Sequence, residues 1–488
     1  MRPQGVTTVD ATRVLATLRR AAQQPEVALD AIKLTGAEPI LCSSFAVGTA
    51  VRTTIAAAAL AAGELWRLRR GQRQHISVDM RDAAVEFRSE HHLRVNGVAD
   101  GCEPTGRRRS GRARRSCPPR RERGHHRNRL LALLGCDDDR EAVQRALCGW
   151  NAEGLEAAAA EAGLVVTACS SFSEWDEHPR GGAIAKLPLF AIDKIGDAPA
   201  EPLTTGDRPL AGIRVLDLAR ITGPVCGRTL AAHGADVLRV KAPHLPDVEP
   251  LVIDTGRGKL FTVLDLREKR ERDMLAALLQ KADIFFQGYR PDAIAGFGFC
   301  PQDAARIRPG IVYVSLCAYG DQGSWAARRG FASAVQAASG RNAHEAKAAG
   351  IDKPKPLPAQ ALDHGTGYLM ALAAMTALAH RAEQGGSWYV RTSLAQTGDW
   401  IRQLGRIDGM ACPNADDVND RLETQVSGFG DLTAIRHAAI MTDTPPHLAR
   451  PSIPPGTHAP GWRRASQLHR SSKLSVRVQG VTTLGGDP

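Results

Sequence analysis

The clearest periodicity in the chain lies between Pro209 and Leu316, where short apolar runs alternate with stretches of helical spacing. IRVLDL (Ile213 to Leu218) and DVLRV (Asp236 to Val240) are too short for helices and rich in the branched side chains of strands buried on both faces. Between them, GPVCGRTLAAHGA has the length of a helix of about ten residues and closes at Gly234. Strand, helix, strand is the βαβ unit of a parallel sheet. The alternation continues through FTVLDL, a polar helix from Arg267 to Ala282, DIFFQ, a short helix ending near Arg308, and IVYVSL. It predicts an α/β fold built on a doubly wound, Rossmann-like parallel sheet.

The flanks carry weaker patterns. Ala37 to Glu90 is Ala-rich and helical in VGTAVRTTIAAAALAAGELWRLRRGQ, and HISVDM then alternates like a short strand. Leu130 to Leu203 predicts a smaller α/β domain, with LVVTAC as a strand and GDAPAEPL as a linker. Gly365 to Gln384 predicts a long, mostly apolar helix, followed by a Gly-Gly turn and the strand WYVRTSL. At a constant offset of 314, Arg67 falls on Arg381, Gly71 on Gly385 and HISVDM on YVRTSL, which points to an internal duplication. The chain divides into a helix-rich partial first copy (1–95), an Arg-rich insert expected to be disordered (96–129), the small α/β domain (130–205), the sheet domain (206–410) and an irregular extension (411–488), with little regular structure after about Pro455.

Composition adds to this picture. With 488 residues, 43% of them apolar, the chain can bury the cores of two or three domains. No apolar run approaches the roughly 18 residues of a membrane span, and no signal peptide is apparent, so a soluble cytoplasmic protein is expected. The ten cysteines include no C-x-x-C pair, so neither a zinc site nor a disulfide framework is expected. The net charge of +11 is concentrated in Arg107 to Arg129, which holds eleven arginines and one acid, Glu122. The rest of the chain is nearly neutral, and the basic run lacks aromatic residues for base stacking, so a nucleic-acid partner is not expected. Arg, Pro, Gly and Ser dominate that run, and G/C-rich codons read out of frame yield the same residues; the tail from about Gly461 reads likewise.

No G-x-G-x-x-G follows the first strand, where the turn is ARITGPVCGR, and no phosphate-loop GKS or GKT occurs. In PAQALDHGTGYL (Pro358 to Leu369) a single carboxylate, Asp363, stands among small residues. One reading makes Asp363 a helix N-cap; the other makes it an approachable nucleophile toward an acyl group. His364 lies about 100° further round a helix, so the two are not read as a pair. Arg257 and Lys259 in DTGRGKL, Arg290 in QGYRPDAI and Arg329 in ARRGFASAVQ stand on successive loops of the sheet. Singly each reads as a surface charge; together they could clamp a polyanion through bidentate phosphate contacts.

RPLAGIRVLDLARITGPVCGRTLAAHGADVLRV, DTGRGK, ADIFFQGYRP, RPGIVYVSLCAYG, GFASAVQAASG and ALDHGTGYLM, in this order, resemble the class III CoA-transferase family of CaiB/BaiF type, which includes formyl-CoA transferase. The resemblance spans Arg208 to about Gly405. It implies a CoA-transferase that carries CoA from an acyl-CoA to a carboxylic acid through an aspartyl intermediate, with Asp363 as the catalytic residue. It further implies a CoA site at Thr222, Arg257, Lys259, Gly288, Tyr289, Arg290 and Arg329, no permanently bound cofactor or metal, and a dimer or pseudo-dimer. The first copy has Thr49 at the position of Asp363, and a threonine cannot form an acyl anhydride. Lys241 and Ala332 replace acids usual in the family, which keeps open an inactive CoA-binding homologue. An acyl-CoA racemase is disfavoured because Phe331 stands where the racemase branch has a histidine.

Overall fold

The computed structural model describes residues 9–99, 124–221, 223–412 and 417–462. Helix α1 (Ala11–Ala21) precedes strand β1 (Ile32–Thr35), the long helix α2 (Val47–Arg70), β2 (Ile76–Asp79), α3 (Met80–Glu86), β3 (Arg94–Val95) and β4 (Val98–Ala99). Helices α4 (Gly124–Leu134), α5 (Arg140–Leu147), α6 (Ala152–Glu161), α7 (Phe172–Glu177) and α8 (Pro179–Ala185) lead to β5 (Phe190–Gly196). Strict alternation then begins with β6 (Arg214–Leu218), α9 (Pro224–Ala232), β7 (Asp236–Lys241), α10 (Glu249–Gly256), β8 (Lys259–Val263), α11 (Lys269–Leu279), β9 (Ile284–Gln287), α12 (Pro301–Ile307) and β10 (Val312–Cys317). Next come α13 (Ala332–Ala338), α14 (Arg341–Ala348), α15 (Ala361–Gln384), β11 (Ser387–Ser393), α16 (Leu394–Gln403), β12 (Leu422–Ser427), β13 (Gly430–Ile435) and β14 (Ala439–Met441).

Among the described residues the largest sheet has the order β5-β11-β10-β9-β6-β7-β8. Every pairing in it is parallel except β5 with β11. After the edge strand β5, the chain passes to β6, winds outward through β7 and β8, and returns to β9 on the other side of β6. The order therefore reverses between β6 and β9, where such sheets open a crevice at their carboxyl ends. Val215, Phe286 and Val314 face the core that contains α15, while Leu216, Phe285 and Tyr313 face the one that contains Leu275 and Leu278 of α11. Burial on both faces is why these strands appear in the sequence as unbroken apolar runs.

Helices α2 and α15 pack against each other, are each 24 residues long and begin 314 positions apart. Both are buried on nearly every side, as a helix apolar all round must be, and Ala56, Ala57, Ala373 and Ala374 have no exposed surface. The correspondence extends beyond them. β2 leads into α3 as β11 leads into α16, and β14 pairs antiparallel with β2 as β5 does with β11. The first copy keeps only the strands β1-β2-β14 of such a sheet among the described residues.

Several expectations are corrected. LVVTAC (Leu164 to Cys169) is not a strand: no strand among the described residues pairs with it. Residues 130–205 are helices plus β5, and β5 adds an antiparallel edge to the large sheet instead of building a separate α/β domain. The segment from 411 is not irregular throughout: β12 and β13 pair with each other, β13 pairs with β3, and β14 pairs with β2. β12 and β13 form a local hairpin, but β3 and β2 lie more than three hundred residues upstream of β13 and β14, so no local pattern announces those pairings. Within 96–129, Val98 and Ala99 form β4 and α4 begins at Gly124; residues 100–123 and the tail from 463 lie outside the described residues. A disulfide joins Cys42 to Cys412, against the expectation of none, across a separation of 370 residues that no spacing rule reads. No helix among the described residues is long and apolar enough to cross a membrane.

Candidate active site

Helix α15 begins four residues earlier than its apolar pattern predicts, so Asp363 falls inside its first turn. Gln360 holds the N-cap position and Asp363 is the third helical residue, which removes the N-cap reading. A carboxylate there still gains from the positive end of the helix dipole. Asp363 is part-buried. The helix leads directly into β11, which is parallel to β10, so its start stands toward the carboxyl edge of the sheet, the edge where ligands bind in open α/β folds.

The neighbours of this turn explain its small residues. A Cβ on Gly367 would lie 2.7 Å from Cβ of Val225, so this glycine lets α15 approach the start of α9. Gly223, with φ of +99°, makes the turn into α9. Thr366 shares a hydrogen bond of 2.7 Å with Thr397 on α16. The second turn of α15 is thus wedged between the start of α9 and the start of α16. Of the small residues around Asp363, Gly367 serves close packing.

The basic residues separate into two groups. Lys259 is wholly buried, donating at 2.7 Å to Oδ2 of Asp217 and at 2.7 Å to the Pro224 carbonyl. Burial lowers its pKa to about 8, with Asp217 pulling the other way. Arg257 is also buried; it donates to Oδ1 of Asp254 at 2.9 Å and to the Ile435 carbonyl at 2.8 Å. Neither side chain reaches solvent, so the expectation that Arg257 and Lys259 meet a phosphate directly is not met by this geometry.

Arg290 and Arg329 are exposed, and the charge of one acts on the other. Burial, followed by the like charges of Arg290, Arg129 and Arg220, lowers the pKa of the Arg329 guanidinium. Arg220, on the loop after β6, also donates to the Pro246 carbonyl at 2.8 Å. Gathered like charges of this kind attract an anion. Arg220 and Arg129 escaped the sequence reading. The first stands in the turn after the first strand, a signal that was available; the second is the last member of the arginine run.

Beside this cluster, a cavity of about 420 Å³ opens over the carboxyl ends of β9, β10 and β11. Tyr289, Arg290, Tyr313, Tyr389, Arg391 and Lys186 are among the residues that line it. Gly288 precedes Tyr289, whose N–H donates at 2.7 Å to Oε1 of Gln287. Gln396 also lines the cavity and is the neighbour of Thr397, which bonds Thr366 in the second turn of α15. Thr222 lies outside the described residues. Among the described residues no cluster of side chains could hold a metal ion.

Behind Asp363 lies a buried polar network that the sequence did not reveal. His364 places Nε2 3.4 Å from Oε2 of Glu90, and Tyr368 donates to Oε1 of Glu86 at 2.5 Å. Ser89 donates to Oδ2 of Asp254 at 2.7 Å, and Arg228 contacts both of them. Residues of the first copy thereby meet α15, α9 and α10 in one charged core.

The first copy has no equivalent carboxylate on its helix. Thr49 is buried, and its N–H donates at 2.6 Å to Oε1 of Glu38. A Cβ on Gly48 would lie 2.5 Å from Ile40 and 2.7 Å from Oε2 of Glu38, so this helix start is sealed by its own preceding loop.

Residues 210–410 match the model of the family described as CoA-transferase family III. An acyl-CoA transferase of Gibberella moniliformis is 32% identical over 290 residues, which cover 54% of this chain and 51% of that protein. A formyl-CoA:oxalate CoA-transferase of Streptomyces coelicolor is 29% identical over 201 residues, 38% of this chain and 48% of that one. The crystal structure of a hypothetical protein from Mycobacterium tuberculosis overlaps with a TM-score of 0.36 at 28% identity, covering 40% of this chain and 59% of the other. The chain spans about half the length of the curated relatives it matches.

Proposed function

We propose that this chain, whose residues 210–410 belong to CoA-transferase family III, transfers CoA from an acyl-CoA to a carboxylic acid, with Asp363 as the nucleophile. The observation that carries this reading is the placement of Asp363 in the first turn of α15, at the sheet edge that also bears the cluster of Arg220, Arg290 and Arg329. A CoA thioester has a phosphate-rich end for such a cluster and a reactive carbonyl for a carboxylate.

The reaction then runs in balanced steps. The Asp363 carboxylate attacks the thioester carbonyl; the C–S bond breaks, leaving an aspartyl acyl anhydride and CoA thiolate. The thiolate attacks the aspartyl carbonyl, releasing the first carboxylate and forming an aspartyl-CoA thioester. The acceptor carboxylate attacks that thioester to give a second anhydride and thiolate. The thiolate finally attacks the acceptor carbonyl, releasing acceptor-CoA and restoring Asp363. Splitting the exchange in this way replaces one difficult displacement by easier ones. The phosphates of CoA would lie on Arg220, Arg290 and Arg329, and the Tyr289 side of the cavity would take part of the carrier. CoA enters and leaves as a substrate.

The test is mass spectrometry of the intact protein after incubation with short acyl-CoAs and trapping with hydroxylamine. A hydroxamate at position 363, absent from Asp363→Ala, supports the reading. Wild-type protein that binds CoA but forms no adduct supports instead the inactive CoA-binding homologue, for which the replaced acids at Lys241 and Ala332 argue.

A further inference from the structure

We propose that Glu90 is a positioning residue for Asp363: through His364, its carboxylate fixes the rotation of the first turn of α15. The inference rests on Asp363 being the nucleophile. Two first-copy carboxylates four residues apart, Glu86 and Glu90, meet two α15 residues four apart, Tyr368 and His364. Between them the Phe87 ring stacks on Tyr368 at 5.4 Å and leans on His364 at 5.3 Å. One face of the helix is therefore gripped at two successive turns.

Neighbouring helical residues point about 100° apart. Any rotation that carried His364 away from Glu90 would swing Asp363 through the same angle. Positioning at this level is chemically consequential, because a displacement of about 1 Å at the reacting atom can cost on the order of a hundredfold in rate.

The Glu90 pair is poorly explained as a device for stability. Glu90 and His364 are both buried, and neither Glu90 oxygen has a partner at ordinary hydrogen-bond geometry. Its neighbours are imidazoles at ion-pair range, His364 at 3.4 Å and His91 at 3.5 Å. Well-packed apolar residues commonly match or exceed such a buried pair in stability. Burial would raise the Glu90 pKa and the like charge of Asp254 acts the same way, but His364 and His91 together hold it below the usual carboxylate range. What the pair adds is an electrostatic hold at 3.4 Å on one side chain at the start of α15.

The experiment measures the rate of hydroxylamine-trapped acylation at position 363, and acyl-CoA affinity, in wild type, Glu90→Ala, Glu90→Gln, His364→Ala and the Glu90→Ala/His364→Ala double variant. Acylation about tenfold slower or more in Glu90→Ala, with affinity within about twofold of wild type, is the expected result. The double variant should be no slower than the worse single one, since both substitutions break one contact. Glu90→Gln keeps the shape and an accepting oxygen; it should fold and fall between wild type and Glu90→Ala, and it carries the test if the alanine variant does not fold. Wild-type acylation rates in the folded Glu90 variants would overturn the proposal while leaving Asp363 as nucleophile. Absence of any adduct in the wild type would overturn both.

Discussion

Lys259 and Asp217 form an ion pair with Nζ 2.7 Å from Oδ2, and both side chains are closed off from solvent. The same ammonium holds the Pro224 carbonyl at the first turn of α9, so it ties the strand β8 to the loop that borders the candidate active site. Its task is internal. Lys259→Met would leave Asp217 buried without its cation, a change that commonly costs about 3–5 kcal/mol. Chemical denaturation should register that loss, and calorimetry on the folded variant should find CoA affinity unchanged. Full stability with weakened CoA binding would return Lys259 to the ligand.

The opposite pattern is expected of the exposed arginines. Arg290→Ala and Arg329→Ala remove guanidinium groups that repel one another in the free protein. Each should weaken CoA binding by roughly tenfold or more, as a charge-assisted contact worth about 1.5–3 kcal/mol would, and leave the melting temperature nearly unchanged. Binding should also depend less on ionic strength in each variant, since one screened attraction is gone. Isothermal calorimetry at two salt concentrations separates this outcome from a change in packing.

Asp254 sets an acid limit on the fold. Burial pushes its pKa up, but Arg228 and Arg257, helped by Ser89, hold it at about 2 against an ordinary 3.8. The folded state therefore binds the proton less readily than the unfolded chain. Stability from this group is complete above about pH 4 and is lost as the pH falls through 2, amounting to roughly 2 kcal/mol. Asp254→Asn should be less stable at pH 7, because two guanidinium groups lose their counter-charge, and its stability should fall less than that of wild type between pH 4 and pH 2. Denaturant midpoints across that range test the slope.

Sequence and structure agree where burial imposes a pattern. The strands from Ile213 to Leu316 are legible because both faces are covered, and the helix ending at Gln384 is legible because it is apolar all round. LVVTAC has the same composition as a strand, but no strand among the described residues pairs with it. Arg257 and Lys259 could not be told from Arg290 and Arg329 by residue type or loop position. What distinguishes them is an acid: Asp254 three residues before Arg257, which was visible, and Asp217 forty-two residues before Lys259, which only the sheet brings near. Glu90 was hidden for the same reason. Its partner His364 lies on the other side of the Arg-rich segment, and only the packing of α3 and its following turn against α15 brings them together.

The duplication makes a last prediction, because Thr49 and Asp363 hold the same helical position, third from the start of two helices of equal length. Position 49 differs in its surroundings as well as its side chain. Glu38 and Ile40 close over the helix start, and Oε1 of Glu38 already takes the Thr49 N–H at 2.6 Å. Burial raises the Glu38 pKa above the usual 4.5, so this pocket already disfavours one negative charge. Thr49→Asp would add a second. The variant should be destabilised by roughly 1–3 kcal/mol at neutral pH, and less so near pH 5, because a carboxyl with a raised folded pKa binds protons more readily in the folded state and loses stability as the pH rises. It should give no hydroxamate at position 49 with acyl-CoA, in contrast to position 363. Acylation at 49 would mean that the loop of Glu38 and Ile40 opens in solution, and that loss of the carboxylate alone silences the first copy.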